Sequence, residues 1–274
     1  MINLKLLITG ASGNLGSYLK VESERMGHSY ECLTRSNLGD LDQLTLGCDV
    51  VVHAAGDHIN AVTEKLVGVT ESNLLLTTRV LEACVKNKVS RFFYISSCAV
   101  YGNATAALES EECYPISLNG KIKKLNEDLI ATYCAAHNIS FTSFRLFNIY
   151  GGNDRFSILY HLVRCCSSGQ RFKFLNNGAS SRDFIHVGEA AELICRCLSI
   201  DELPNALNVG TGRATSVSEI VAAFQKICPA LLTENSTAQE VRYSCADTSL
   251  LKQIVGNYQC RDVLDEVVKL RFKS

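Results

Sequence analysis

Two constellations in this 274-residue chain have residue types and spacings suited to chemistry. The first is LLITGASGNLGSYL, where Gly10, Gly13 and Gly16 recur at three-residue intervals between a strand-like run and an amphipathic stretch. Glycine permits a tight turn and close backbone approach, and a helix that starts there offers free N–H groups and a partial positive charge to a phosphate. Directly after a chain-initial strand, the pattern points to dinucleotide binding. The choice of dinucleotide is read at the end of the second strand, where a carboxylate would bond the ribose hydroxyls of NAD and repel the extra phosphate of NADP. Here YECLTRS puts Thr34 in place of the acid and Arg35 beside it, which tilts the reading to NADP over NAD; Arg35 is equally consistent with a solvated surface residue. Asp40 and Leu41 in LGDLDQL are expected near the adenine, although Asp40 suits the cap of a following helix as well. The second constellation is YPISLNGKIKKLNEDLIATY, residues 114–133. Its Asn119 and Lys123, four apart, share one helical face. An amide does not ionise near neutral pH and cannot act as a general acid or base.

Holding such groups in place takes alternating strands and helices, and the first 150 residues supply them. Apolar, β-branched runs at 4–9, 29–33, 50–54, 91–96 and 140–146 read as strands, and 14–26, 70–87 and 120–137 read as helices. In the last, Ile122, Leu125, Leu129 and Tyr133 recur at helical spacing. The alternation implies an α/β fold, a Rossmann-type doubly wound parallel sheet covered on both faces. After RLFNIYGG the elements become short and mixed: helices at 156–168, 188–199 and 216–228, strands at 171–175 and 206–209. The expected organisation is a dinucleotide-binding domain over 1–150 and a smaller mixed α/β lobe over 151–274, packed on it with some segments crossing over.

Composition narrows the class. The chain is 47% hydrophobic and 20% charged with a formal net charge of −1, so no global field draws it to nucleic acid or an anionic membrane. No apolar run approaches a bilayer span, and MINLKLLITG lacks the features of a signal peptide, so a cytoplasmic protein is expected. The thirteen cysteines include no C-x-x-C pair and sit mostly inside apolar runs, as free buried thiols rather than zinc ligands or disulfides. His53 and His58, flanking Asp57, lack a third metal ligand, and His186 reads as structural. Lys121 and Lys124 read as a solvated helix face.

Several motifs in order resemble the extended short-chain dehydrogenase/reductases, specifically the nucleotide-sugar epimerases, dehydratases and 4-keto reductases. TGASGNLG is similar to that family's glycine loop, DVVVHAAG to its cofactor-lining strand and ESNLLLTTRVLEAC to a helix with an inward Asn. FFYISSCAVYG resembles the strand that ends in its catalytic Ser or Thr, RLFNIYGG its substrate-contacting segment, and RDFIHVGEAAEL and ALNVGTGRATSVSEIV parts of its substrate lobe. The resemblance implies cofactor contacts from Gly10, Ser12, Gly13, Asn14, Leu15, Gly16, Ala54, Ala55, Gly56, Asn73 and Lys123. It further implies a catalytic Ser97, substrate contacts from Ser97, Cys98 and Asn148, and a nucleotide diphosphate on Arg182. A homodimer through the helices near 70–87 and 120–137 is also implied.

PISLNGKIKKLNE aligns with the family's Pro-x-Ser-x-Tyr-Gly-x-x-Lys, with a Glu four residues on: Pro115, Ser117, Gly120, Lys123 and Glu127 all match, and Asn119 takes the tyrosine position. In the family that tyrosine moves the proton on the sugar oxygen while the lysine lowers its pKa and holds the nicotinamide ribose. Three readings follow: a variant of an active enzyme with its sites otherwise intact; an enzyme in which Lys123, a water held by Asn119 and Ser97, Tyr114 or Cys98 moves the proton; or a protein that binds nucleotide or nucleotide sugar without turnover. Cys98 and Ala99 stand where the family's dehydratases carry an Asp and a Glu, which argues against elimination of water. The expected function is therefore epimerisation or 4-keto reduction at sugar C4, with the non-catalytic binding protein as the alternative.

Overall fold

A computed structural model describes residues 3–57, 66–103, 107–238 and 240–270. The chain runs β1 (Lys5–Thr9), α1 (Asn14–Arg25), β2 (Ser29–Leu33), α2 (Leu41–Thr45), β3 (Val50–His53), α3 (Leu66–Thr70), α4 (Leu76–Lys86), β4 (Arg91–Ser97), α5 (Leu118–His137) and β5 (Ser140–Leu146). Then come β6 (Asn148–Tyr150), α6 (Ile158–Ser168), β7 (Phe172–Leu175), β8 (Ser181–His186), α7 (Val187–Arg196), β9 (Ala206–Val209) and β10 (Ala214–Ser216). The last elements are α8 (Val217–Ile227), β11 (Thr233–Ser236), β12 (Tyr243–Ser244), α9 (Ser249–Val255) and α10 (Val263–Lys269).

Six parallel strands form the main sheet in the order β2-β1-β3-β4-β5-β9. Its strands are apolar on both faces because helices cover both. Leu6, Ile8, Val50, Val52, Phe93 and Ile95 face one core with α1 and α7, while Leu7, Val51, Phe92 and Tyr94 face a second core with α4 and α5. This two-residue alternation is what a parallel sheet demands of its side chains. The sheet is entered at β1 and built outward in both directions, so the crevice for a ligand opens beyond the carboxyl ends of β1 and β3.

A third core, with Tyr150, Leu162, Phe172, Phe184, Phe224 and Val267, belongs to the smaller lobe. There β8 is the hub, pairing with β6 and β12 in parallel and with β10 antiparallel. Residue 150 does not separate the two layers in space: β9 pairs with β5, and Ala190, Ala191 and Ile194 of α7 pack with Leu15 and Leu19 of α1. The helix expected over 70–87 is present but begins earlier, as α3, and widens into a π turn at Glu71–Leu75 before continuing as α4. Among the described residues no helix is long and apolar enough to cross a membrane.

Candidate active site

The glycine loop is shaped by two contacts. Gly10 has φ +66°, open to glycine at little cost, and its N–H donates to Leu33 O at 3.0 Å, fastening the end of β1 to the end of β2. At Gly16 a Cβ would sit 2.2 Å from Gly10 O, so only glycine lets α1 begin this close to the strand. Gly13 stands at the helix cap in extended backbone without a side-chain cap, leaving first-turn N–H groups for a ligand. A cavity of about 1010 Å³ opens over the loop, lined by Gly10, Ser12, Gly13, Thr34, Arg35, Ala54, Ala55, Gly56 and Asp57. This cradle suits a dinucleotide phosphate and its ribose.

Other expected contacts fall elsewhere. Asn14 joins the lobes, its Nδ2 donating to Gly151 O at 3.0 Å and its Oδ1 accepting from Asn153 N at 2.8 Å. Leu15 is buried in the first core and touches a second cleft. Asn73 lies in the π turn behind Gly56, with Nδ2 donating to Val69 O at 3.0 Å and its carbonyl accepting from Asn126 at 3.1 Å. Asp40 and Leu41 follow a tight turn over Arg35–Asp40 and are absent from the cavity wall. Asp40 is exposed and makes no side-chain cap, Leu41 enters the second core, and Ser36 and Leu38 line the cavity instead. Thr34 fixes the same turn, its N–H donating to Asn37 Oδ1 at 2.7 Å. Arg35 is not solitary: its guanidinium donates to the Asp57 carboxylate.

The residues expected to react lie beyond β4. Ser97 closes that strand and its Oγ accepts from Ala99 N at 3.2 Å, turning the chain through Cys98–Val100. Helix α5 starts at a Ser117 cap, whose Oγ accepts from Gly120 N at 3.0 Å. A Cβ on Gly120 would meet Ala99 O at 2.3 Å, so the helix start presses directly on the Ser97 turn. This contact brings Asn119 and Lys123 into one cleft with Ser97 and Cys98. Lys123 Nζ donates to Ile95 O at 2.7 Å and lies 4.8 Å over the Tyr94 ring. Burial lowers its pKa to about 8, within reach of neutral pH. Tyr114 and Cys98, the other two ionisable candidates, are poorly suited to the proton. Tyr114 is 65% exposed, bonded to Glu112 and off the cleft wall, and burial pushes the Cys98 thiol up.

Behind Lys123, Ser96 and the Arg145 guanidinium both donate to Glu127, Arg145 Nη2 at 2.9 Å. Arg145 also donates to Tyr101 OH at 3.0 Å, and that hydroxyl to Asn208 Oδ1 at 2.8 Å. The network ties α5 to β4, β5 and β9. His53 sits beneath: Thr9 takes a bond from Ala55 N and so donates to Nδ1 at 2.7 Å, and Thr77 donates to Asn73 O and so accepts from Nε2 at 3.0 Å. The ring is neutral, held by burial at a pKa of about 3, with both nitrogens used. His58 lies outside the described residues. All thirteen cysteines are free thiols.

The same cleft, about 580 Å³, reaches into the second lobe. Asn148 and Arg182 line it; Asn148 Nδ2 donates to Asp183 O at 2.9 Å, and Arg182 pairs with Glu240 at 3.4 Å. Asp183 is buried and collects N–H bonds from Thr211, Gly212 and Ala246, pinning the loops around β8. His186 accepts from Gly188 N at 3.1 Å and packs against Tyr18 and Tyr150, a structural arrangement. Sequence reasoning missed Asp57, Arg79, Arg155 and Glu240, which line one or both cavities. The two cavities meet at Ala54, Gly56 and Asp57, which line both, so one extended ligand can reach from the glycine loop to Lys123.

Comparison with known proteins shows the family. The family model for the NAD dependent epimerase/dehydratase family matches residues 6–210. A protein of Bacillus subtilis (strain 168) described as an uncharacterized UDP-glucose epimerase, YtcB, is 25% identical over 297 aligned residues, 92% of each chain. The structure of MoeE5 in complex with UDP-glucose and NAD superposes with a TM-score of 0.87 at 27% identity, over 96% of both chains. The UDP-glucuronic acid 4-epimerase of Bacillus cereus, in complex with UDP-glucuronic acid and NAD, shares the fold with a TM-score of 0.87 at 21% identity over 96% of both chains.

Proposed function

The chain belongs to the NAD dependent epimerase/dehydratase family, and we propose that it acts at C4 of a nucleoside-diphosphate sugar, as an epimerase or a 4-keto reductase. One observation carries the reading: Ser97, Asn119 and Lys123 share a cleft that joins the glycine-loop cavity at Ala54, Gly56 and Asp57. The similarity to MoeE5, whose structure holds UDP-glucose and NAD, supports the same ligand class.

A bound nicotinamide dinucleotide supplies or accepts the hydride. The glycine loop holds its phosphates, and the choice between NAD and NADP falls at Arg35. Arg182 and Asn148 receive the substrate's diphosphate and sugar. Ser97 Oγ and the Asn119 amide hold the 4-oxygen, and Lys123 Nζ gives it a proton or takes one away. Lysine replaces the missing phenol here because its pKa of about 8 lets both protonation states exist near neutral pH. Cys98 and Ala99 offer no carboxylate for eliminating water, so a 4,6-dehydratase is not proposed. A homodimer through α4 and α5 belongs to the same proposal, supported by exposed Leu75 at the start of α4 and exposed Leu125 on α5; sedimentation equilibrium tests it, and a monomer would reject it.

The test is turnover of UDP-, dTDP- and GDP-linked 4-keto and 4-hydroxy sugars, with NADH and NADPH followed by absorbance and C4 epimers by NMR. Asn119 favours a second reading, binding without turnover. Tight nucleotide-sugar binding by calorimetry with no hydride transfer and no epimer would select it.

A further inference from the structure

The end of β2 lacks the carboxylate that would favour NAD, and Arg35 follows it. The fold brings a carboxylate there from another strand. Because β2, β1 and β3 lie side by side in that order, the ends of β2 and β3 flank the glycine loop that follows β1. Arg35, just past β2, and Asp57, just past β3, meet across it, guanidinium to carboxylate. Both line the cavity over Gly10, Ser12 and Gly13. Among the described residues, Asp57 is also the one charged side chain common to both cavities.

We propose that Asp57 is the selectivity-determining acid of the cofactor groove, engaging Arg35 and placing a negative charge at the ribose end, so that the chain favours NAD over NADP. In an open α/β sheet the ribose of a dinucleotide lies beyond the end of β2. A 2′-phosphate that reaches Arg35 must displace the Asp57 carboxylate and then remain beside it. The ribose hydroxyls of NAD can donate to that carboxylate with the ion pair intact. The charges on the cavity wall agree: Arg35 and Arg79 are balanced by Asp57 and Glu71, so neutralising Asp57 leaves one positive charge in excess. Repulsion between a carboxylate and a doubly charged phosphate a few ångströms apart in a water-like dielectric amounts to about tenfold in affinity.

The inference rests on reading this groove as a nicotinamide dinucleotide site, and the experiment separates the two. Calorimetric Kd values for NAD⁺ and NADP⁺ would be measured with the unaltered chain, Asp57→Asn, Arg35→Ala and the double variant, with a thermal melt of each to establish folding. The unaltered chain should favour NAD⁺. Asp57→Asn should tighten NADP⁺ about tenfold and change NAD⁺ little, and adding Arg35→Ala should remove that gain. An NADP⁺ preference in the unaltered chain, or an NAD⁺ to NADP⁺ ratio unmoved by Asp57→Asn, overturns the role of Asp57 while leaving the groove a dinucleotide site. Failure of every folded form to bind either dinucleotide overturns the groove reading and this inference together.

Discussion

The two ends of the groove each lack a residue that the family resemblance and the dinucleotide-binding fold call for, and the fold answers the losses differently. At the ribose end Thr34 stands in place of an acid, and Asp57 brings a carboxylate to Arg35 from a neighbouring strand. At the proposed reacting end Asn119 stands in place of the family's phenol, and among the described residues no tyrosine lines the cleft. The Tyr94 and Tyr101 hydroxyls are bonded to Asn126 and Asn208 inside the protein, and Tyr114 points to solvent. A charge acts over several ångströms and can be supplied by any nearby strand end, whereas proton transfer needs hydrogen-bond contact with one oxygen. Lys123, fixed to Ile95 O, is the ionisable group that shares the helical face of Asn119 in the cleft.

The strongest way to break this contrast is to restore the phenol. General acid–base assistance is worth about 10²–10⁴ in rate, so Asn119→Tyr should raise turnover by up to that range. Steady-state kinetics on the active sugar nucleotide would measure it. No gain in a folded Asn119→Tyr variant would mean that another carrier, Lys123 or a water held by Asn119 and Ser97, already moves the proton without loss.

The two ends also differ in how they are held. Glu127 and Arg145 form a pair whose side chains are about 8% and 7% exposed, buried behind Lys123, while Arg35 is 82% exposed. Removing one partner of a buried pair leaves an uncompensated charge, so Glu127→Gln should cost about 3–5 kcal/mol of stability in urea titrations. Arg35→Ala should cost less than about 1 kcal/mol, because water screens that pair and ordering its side chains offsets the gain. Equal losses would mean that Arg35 and Asp57 brace the fold, and that a change in cofactor choice on mutating them is indirect.

Sequence showed one end more fully than the other for a physical reason. The resemblance to the family singles out Ser97, Asn119 and Lys123, the strand end and helix that carry them are written in local spacing, and the cleft contains all three. Runs such as VVVH, apolar on both faces, likewise announce buried parallel strands. The partnership of Arg35 and Asp57 depends on sheet order, which puts the ends of β2 and β3 on either side of β1, and residue spacing carries no such order. The turn at Arg35–Asp40, which turns Leu41 into the core, leaves no mark in residue spacing. Strand β8 was hidden because Arg182 and Asp183 interrupt its apolar pattern; Asp183 is tolerated there because backbone N–H groups from two loops bond its carboxylate. The interruption at Glu71–Leu75 has no glycine or proline to mark it.

The smallest effect sharpens the comparison most, because it identifies the group that moves the proton. Burial lowers Lys123 from the ordinary lysine value of 10.5 to about 8 in the folded chain. The unfolded chain therefore holds this proton between about 8 and 10.5 when the folded chain has lost it, so this residue makes stability rise with pH across that window. Catalysis should follow the same titration with a sign set by direction. Oxidation of a 4-hydroxyl needs the neutral amine as base, so its rate should rise as pH climbs through about 8. Reduction of a 4-keto sugar needs the ammonium as acid, so its rate should fall over the same interval. In Asn119→Tyr the phenol takes over the proton, and the single step should move away from that pH while Ser97 and the cofactor groove stay unchanged. A profile flat through pH 8 in the unaltered chain, with turnover present, would remove Lys123 from proton transfer and leave water between Asn119 and Ser97 as the carrier.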